Sequence, residues 1–336
     1  MVLARDAHAG SGHARRPLQL TRLAGVSAER AVRTLAWLAR ECAADALLVA
    51  DFAGETAGLL GAFQRPGRSG EPRELRACCG GRSARLGPGR VLLGARVGDP
   101  GAWLAEPAAG LSGPRLLNRL VRGLLAGLTP IGVAASYPGR DFVVAGERRI
   151  AQLSLGRDAR GALLFQAVCA GEQPVAGAEP EPAFPGHPPA PPAGAAGVPA
   201  AALADALARG FAARFGLAPE PAWAGETEPP PLADPELAGL VAGGPVATPI
   251  GELEAYVALA AGGSLARVRL RGDFMASAGA LRALEESLGG LDPADPRVRE
   301  LASRWLAAPQ SAVVGITDAR AVSDAVARAA SHWSSS

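Results

Sequence analysis

Residues 76–89 read RACCGGRSARLGPG and lie between two apolar runs, LLGAF at 59–63 and VLLGARV at 91–97. Gly80 and Gly81 carry no Cβ, so the backbone there can take positive φ and bring bare amides against a ligand, with Arg82 beside them. Two readings follow from the stretch alone: a cradle for a phosphate or carboxylate, or an ordinary glycine turn between strands. The rest of the chain has to choose between them.

A chain of 336 residues, 49% hydrophobic and 20% charged, is long enough to bury the cores of two domains. Its 34 basic and 32 acidic residues leave a formal charge of +2, and aromatics are only 4%. That composition supplies neither the basic surface nor the stacking rings of a nucleic-acid binder. No lysine occurs, so every strongly basic side chain is an arginine. Cys42, Cys78, Cys79 and Cys169 match neither zinc-site spacing nor a disulfide framework, and free thiols in a cytoplasmic protein are expected. The first residues have no apolar signal region, and no run of about 18 apolar residues follows, so no membrane partner is expected.

Residues 1–20 read as a disordered lead-in. A helix is expected over 27–42, capped by Ser27, then strands at 46–50 and 58–63, the second ending at Gln64. Beyond the glycine loop come a strand at 91–97 and a helix at 114–128 with arginines on its wet side. A meander at 131–135, 141–145, 148–155 and 162–169 follows. Residues 171–199, rich in Pro and Ala, read as an extended surface insert that cannot order itself. A helix at 200–215 and a Pro-rich linker over 221–245 lead to a small domain at 246–332. Its expected elements are a hairpin of 252–259 with 265–271, helices from Ser277 and Asp295, a strand at 312–316 and a last helix over 318–330.

This order of pieces resembles the lipoate-protein ligase and octanoyltransferase family, within the biotin/lipoate protein ligase superfamily. The family's "GxxQ" is matched by Gly61-Ala62-Phe63-Gln64, and its "RRxxGG(G or R)" by Arg76-Ala77-Cys78-Cys79-Gly80-Gly81-Arg82. Its "GRNDI" is matched in part by Gly139-Arg140-Asp141, and "KIAG" by Arg149-Ile150-Ala151. In the tail, Gly251 and Arg271-Gly272-Asp273-Phe274 are similar to the "GDFF" of the small accessory domain. The resemblance implies an α+β fold, with a mixed or antiparallel sheet flanked by helices over 21–220 and a small α/β accessory domain at the C-terminus.

The resemblance also implies chemistry. A lipoyl, octanoyl or related acyl group, activated as an acyl-adenylate with ATP and Mg, would pass to a lysine on a lipoyl-acceptor domain. Glycine-loop amides would face its carbonyl or phosphate, and apolar strands would hold its tail. The implied substrate-binding residues are Gln64, Arg76, Gly80, Gly81, Arg82, Arg140, Asp141, Ala151 and Gln166. Where the family has its motif lysine this chain has Arg149, which keeps the charge but has a larger planar head. Ala77 replaces the loop's second arginine, and Gln166 stands where many members have histidine. The four histidines, His8, His13, His187 and His332, lie in the tails or the Pro-rich insert, away from any base position. Cys79 is the remaining nucleophile if loop amides and Arg82 lower its pKa; otherwise it is a packed small residue. Arg140 and Asp141 are either nucleotide contacts or a solvated turn pair. Two functions remain: an acyl-transferring enzyme with Arg149 and Cys79 as catalytic groups, or a non-catalytic homologue that binds an acyl group or assists lipoylation.

Overall fold

The structure is a computed structural model, describing residues 16–104, 110–176 and 189–333. Its first strand, β1 (Arg16–Val26), begins inside the segment read as a lead-in. It pairs in parallel with β2 (Ala46–Phe52), which places an ordered strand, anchored by buried Leu18, where composition alone suggested disorder. Residues 1–15 lie outside the described region. Between β1 and β2, α1 (Ala28–Arg40) starts at Ser27, whose side chain accepts from Arg30 N; Glu29 and Arg40 complement the helix dipole at its two ends. All seven residues of β2, ALLVADF, are buried, the signature of a central strand covered on both faces.

The chain then leaves the main sheet for a small one. Here β3 (Ala57–Leu60) pairs in parallel with β4 (Glu74–Arg76) and antiparallel with β5 (Ala84–Leu86). It returns along β6 (Arg90–Val97), which is buried throughout and antiparallel to β2. After a short α2 (Pro100–Leu104) comes α3 (Gly113–Leu128), with Pro114 in its first turn. The meander is β7 (Ala135–Ser136), β8 (Phe142–Ala145), β9 (Arg148–Arg157) and β10 (Leu163–Ala170). Of the strand expected at 131–135 only the end forms, because a 3-10 turn at Thr129–Ile131 and left-handed Gly132 carry the chain off the helix first.

α4 (Ala200–Arg214) crosses α3 so closely that a Cβ on Gly210 would overlap the backbone of Gly127. β11 (Leu217–Pro221) then closes the sheet beside β1. The strand order is β11-β1-β2-β6-β10-β9-β8-β7, parallel at the β11-β1-β2 side and antiparallel across the rest. Phe165 of β10 stacks on Phe211 of α4, with ring centroids 6.0 Å apart, which puts α3 and α4 on one face. Gly94 of β6 faces Leu35 of α1, so α1 covers the opposite face.

The Pro-rich segment is partly built into this sheet. Arg149 N donates to Pro192 O at 3.0 Å and Gly194 N donates to Arg149 O at 2.9 Å, while Ala196 N donates to Ala170 O. Backbone hydrogen bonding to strand edges thus orders 189–199, overriding a composition that predicted no order; residues 177–188 lie outside the described region. The stretch after β11 is also strapped down. Arg30 and Arg33 of α1 pair with Glu226 and Glu228, and Thr227 N donates to Arg33 O.

The C-terminal unit comprises β12 (Val241–Ala242), β13 (Val246–Thr248), β14 (Gly251–Leu259), β15 (Leu265–Gly272), α5 (Ala278–Ser287), α6 (Pro296–Ala307) and α7 (Ala319–Trp333). β14 carries β15 on one side and the short β12 and β13 on the other. A register shift at Ala258/Leu259 lets Leu265, Val268 and Leu270 all face its core. The strand expected at 312–316 is a single bridge, Val314 to Met275, because Ala312 (φ 49°) and Gly315 (φ 98°) break the run. This unit sits against the first through Phe274, whose ring stacks on Phe63 with centroids 4.9 Å apart. Among the described residues no helix is long and apolar enough to cross a membrane.

Candidate functional site

β9 and β10 build a floor. Their register sets Gln152 opposite Val168 and Ser154 opposite Gln166, and strand alternation turns all four side chains to one face. Leu59, Leu60 and Ala84 of the small sheet lie over that patch with Gly61 and Ala77. Together with Arg82 these residues line a narrow cleft that is closed to a water molecule in this structure.

The polar end of the cleft is fixed by Asp141. Arg82 forks onto its carboxylate, Nε to Oδ2 at 2.5 Å and Nη2 to Oδ1 at 3.0 Å. Gln152 Nε2 donates to the same Oδ2 at 2.7 Å and to the Asp141 carbonyl at 2.8 Å. Asp141 is fully buried, and a buried carboxylate survives only with such pairing. Because both acceptors require N–H donors, the Gln152 amide is locked with its oxygen turned from Asp141. Gln152 Oε1 and Gln166 Oε1 are each buried with no hydrogen-bond partner.

The glycine loop runs along the cleft rather than standing open. Gly81 (φ 131°) takes a conformation that favours glycine, and a Cβ there would lie 2.9 Å from Ser154 Oγ. Gly80 forms a β-bridge with Leu155, and a Cβ on it would lie 2.6 Å from the Phe274 carbonyl and 2.8 Å from the Phe63 ring. The bare amides expected from the sequence are therefore covered, on the Gly80 side by the C-terminal unit.

Cys79 departs from its expected chemistry. It is 2% exposed, its Sγ donates to the Leu164 carbonyl at 3.8 Å, and burial pushes its pKa up, with Cys78 adding to the rise. Arg82, expected to lower that pKa, is turned to Asp141 instead. Cys78 is pushed up to about 11 and Cys169 to about 12 by the same desolvation. Cys78 and Cys79 line a separate, nearly closed apolar cleft with Leu35, Leu38 and Leu164.

Two expected binding residues brace the rim. Gln64 Oε1 accepts from Gly61 N at 2.7 Å, and its Nε2 donates to Asp273 Oδ1 at 2.5 Å. The Arg76 guanidinium, 6% exposed as a residue, donates to the carbonyls of Ala62, Gln64, Pro231 and Leu232. Asp273 also accepts from Arg68 at 3.1 Å, so the "GD" of the tail ties the C-terminal unit to the end of β3.

Arg140 and Asp141 are not a solvated turn pair. Arg140 donates to the Pro249 carbonyl at 2.8 Å and stands 5.1 Å over the Phe142 ring, while Asp141 is buried. Ala151 is paired with Val143 and Cys169, on the face opposite Gln152. A register shift inserts Ile150 into β9, and this returns Arg149, paired with Val144, to the face of Gln152. Arg149 then lies four strand steps, about 13 Å, along β9 from Ser154, the residue against Gly81, with Gln152 between them. Of the expected residues the cleft is lined by Arg82 and Gln166, with Asp141 behind Arg82 and Gly81 against Ser154, while Cys79, Gly80, Arg140, Arg149 and Ala151 lie outside its walls. Gln152 and Ser154 escaped the sequence reading. Their signal is a period-two pair of polar residues in the otherwise apolar RRIAQLSL.

No protein-family model matches the chain, and no curated protein matches it. Solved structures do. LipL1 of P. falciparum, in complex with lipoate, superposes with a TM-score of 0.53 at 9% identity, covering 82% of this chain and 90% of that one. A bi-partite lipoate protein ligase from Thermoplasma acidophilum, solved with its E2 lipoyl domain, gives a TM-score of 0.44 at 13% identity over 62% and 87%. Lipoate-protein ligase A bound with ATP gives 0.45 at 12% identity over 62% and 89%. The chain has the lipoate-protein ligase fold, with mixed and antiparallel sheets flanked by helices.

Proposed function

We propose that this chain, built on the lipoate-protein ligase fold, binds a carboxylic acid with an apolar body, of the lipoyl, octanoyl or a related acyl type. The acid would lie in the cleft between the β3-β4-β5 sheet and strands β9 and β10. The observation that carries this reading is the cleft itself: Leu59, Leu60 and Val168 supply apolar walls, and the Arg82–Asp141–Gln152 cluster supplies one polar end. In this structure the cleft is closed even to a water molecule, so the small sheet must move off β9 and β10 as the acid enters.

In this reading ATP is the activating co-substrate: the acid's carboxylate attacks the α-phosphorus, pyrophosphate leaves and an acyl-adenylate forms, with Arg82, still paired with Asp141, supplying positive charge to the phosphate. Arg149, beyond Gln152 along β9, would take the motif lysine's contact with the acyl carbonyl once the small sheet has moved. A guanidinium there holds charge but presents a fork rather than a point donor, so transfer to an acceptor lysine is slow while binding persists. Binding without transfer, the second reading, is favoured by the buried, high-pKa Cys79, which is a poor nucleophile.

Isothermal titration with octanoic acid, lipoic acid and a non-hydrolysable octanoyl-adenylate analogue, followed by transfer to a lipoyl-acceptor domain, tests this. Saturable binding and slow transfer that Arg149→Lys accelerates about tenfold or more support the enzyme. Binding with no transfer by either protein supports the non-catalytic homologue. Absence of binding by all three ligands removes the reading.

A further inference from the structure

We infer that the acid this cleft selects carries a hydrogen-bond donor on its body, a hydroxyl or an amide or urea N–H, and is not a plain hydrocarbon acid. The inference rests on the proposed acyl-binding function and specifies its substrate class. Gln152 and Gln166 are each 2% exposed, and the Oε1 of each is buried without a hydrogen-bond partner. They are diagonal neighbours on one face of β9 and β10, flanked by Val168 and Ser154, and both line the cleft.

For Gln152 the direction of the amide is settled by its surroundings. Nε2 makes two bonds, to the Asp141 carbonyl and to Oδ2, so rotating the amide would set oxygen against oxygen. The oxygen is held as an acceptor. No donor on the cleft wall reaches that oxygen, and the cleft has no room for a water molecule to bridge it to Gln166, whose amide is held by no such pair of bonds and can turn its oxygen to an incoming donor. Unsatisfied buried acceptors are uncommon because each loses its hydration without compensation, and they mark a partner that arrives from outside. A saturated C8 chain or a dithiolane ring has no donor to offer and would leave both oxygens unpaired. An acid with O–H or N–H on its body would satisfy one or both.

The test is isothermal titration of the full chain with octanoic acid, a set of monohydroxyoctanoic acids, and biotin as an acid bearing a cyclic urea. At least one donor-bearing acid should bind about tenfold or more tightly than octanoic acid, as expected where a site built for a donor meets an analogue lacking it. Gln166→Met, close in shape and without the acceptor, should reduce that preference to near unity while octanoic acid binds as well or better. Gln152→Met should do the same, and where losing its hold on Asp141 impairs folding, Gln166→Met decides. Octanoic acid binding as tightly as every donor-bearing acid, or a preference unchanged in Gln166→Met, overturns the inference and leaves the proposed function standing. Failure of all the acids to bind to the folded chain overturns both.

Discussion

Asp141 is the residue on which the site turns. Three side-chain donor atoms, Nε and Nη2 of Arg82 and Nε2 of Gln152, converge on it in a fully buried position, and removing one partner of such a group leaves an uncompensated charge. Arg82→Ala is therefore expected to destabilise the fold by about 3 kcal/mol, read as a lowered urea midpoint. Arg82→Ala together with Asp141→Asn should recover part of that loss, and a double variant no better than the single one would contradict the pairing.

The thiols give a second, pH-dependent test. Cys78 is raised from 9.0 to about 11, so the folded chain keeps a proton that the unfolded chain releases. The resulting stabilisation is complete below about pH 8.5 and declines as pH rises toward 11. Cys79 and Cys169 are raised in the same direction. Urea midpoints should fall between pH 8 and pH 10.5, and a variant with all four cysteines changed to alanine should show a smaller fall. An equal fall in both proteins would contradict the burial argument. The sequence named Cys79 and Arg82 but could not say which way each would face. Adjacent residues suggested a thiol beside a cation, whereas Arg82 is turned to a carboxylate 59 residues on.

Among the elements, β9 sets the site by alternation and by one irregularity. Gln152 and Ser154 face the cleft because they share parity, and the extra Ile150 brings Arg149 back to their side. That shift cannot be read from RRIAQLSL alone, since a bulge depends on the partner strand. The long apolar helices and the central strands were legible from their periods and their flanking caps. β4 and β5, at three residues each, and β12, at two, leave no pattern to read. The α3–α4 crossing supplies an element-scale test. Gly210 packs on the backbone of Gly127, so Gly210→Ala must push two helices apart, at a cost of about 3 kcal/mol. Gly146→Ala serves as the control: no atom lies within 4 Å of its Cβ position, and the positive φ of 57° gives a smaller loss. Equal losses would show that the crossing is not tight.

At the scale of the whole molecule, the C-terminal unit is a wall of the glycine loop as well as an appendage. Phe274 stacks on Phe63 and covers Gly80, Asp273 holds Gln64 and Arg68, and Arg76 holds the connecting stretch at Pro231 and Leu232. Ending the chain at residue 245 should therefore expose Phe63 and Gly80 and lower the melting temperature of the remaining unit. An unchanged melting transition would contradict the coupling. The Pro-rich composition of 221–245 was legible in the sequence. The covering of the loop was not, because it joins residues nearly 200 positions apart.

The central claim is that an acid enters between the small sheet and strands β9 and β10. Crystallography of the chain with a non-hydrolysable octanoyl-adenylate analogue tests it most directly. The account predicts the acyl chain lying between Leu59, Leu60 and Val168, within reach of Gln166, with the small sheet displaced outward. An analogue bound elsewhere while the cleft stays closed would contradict it.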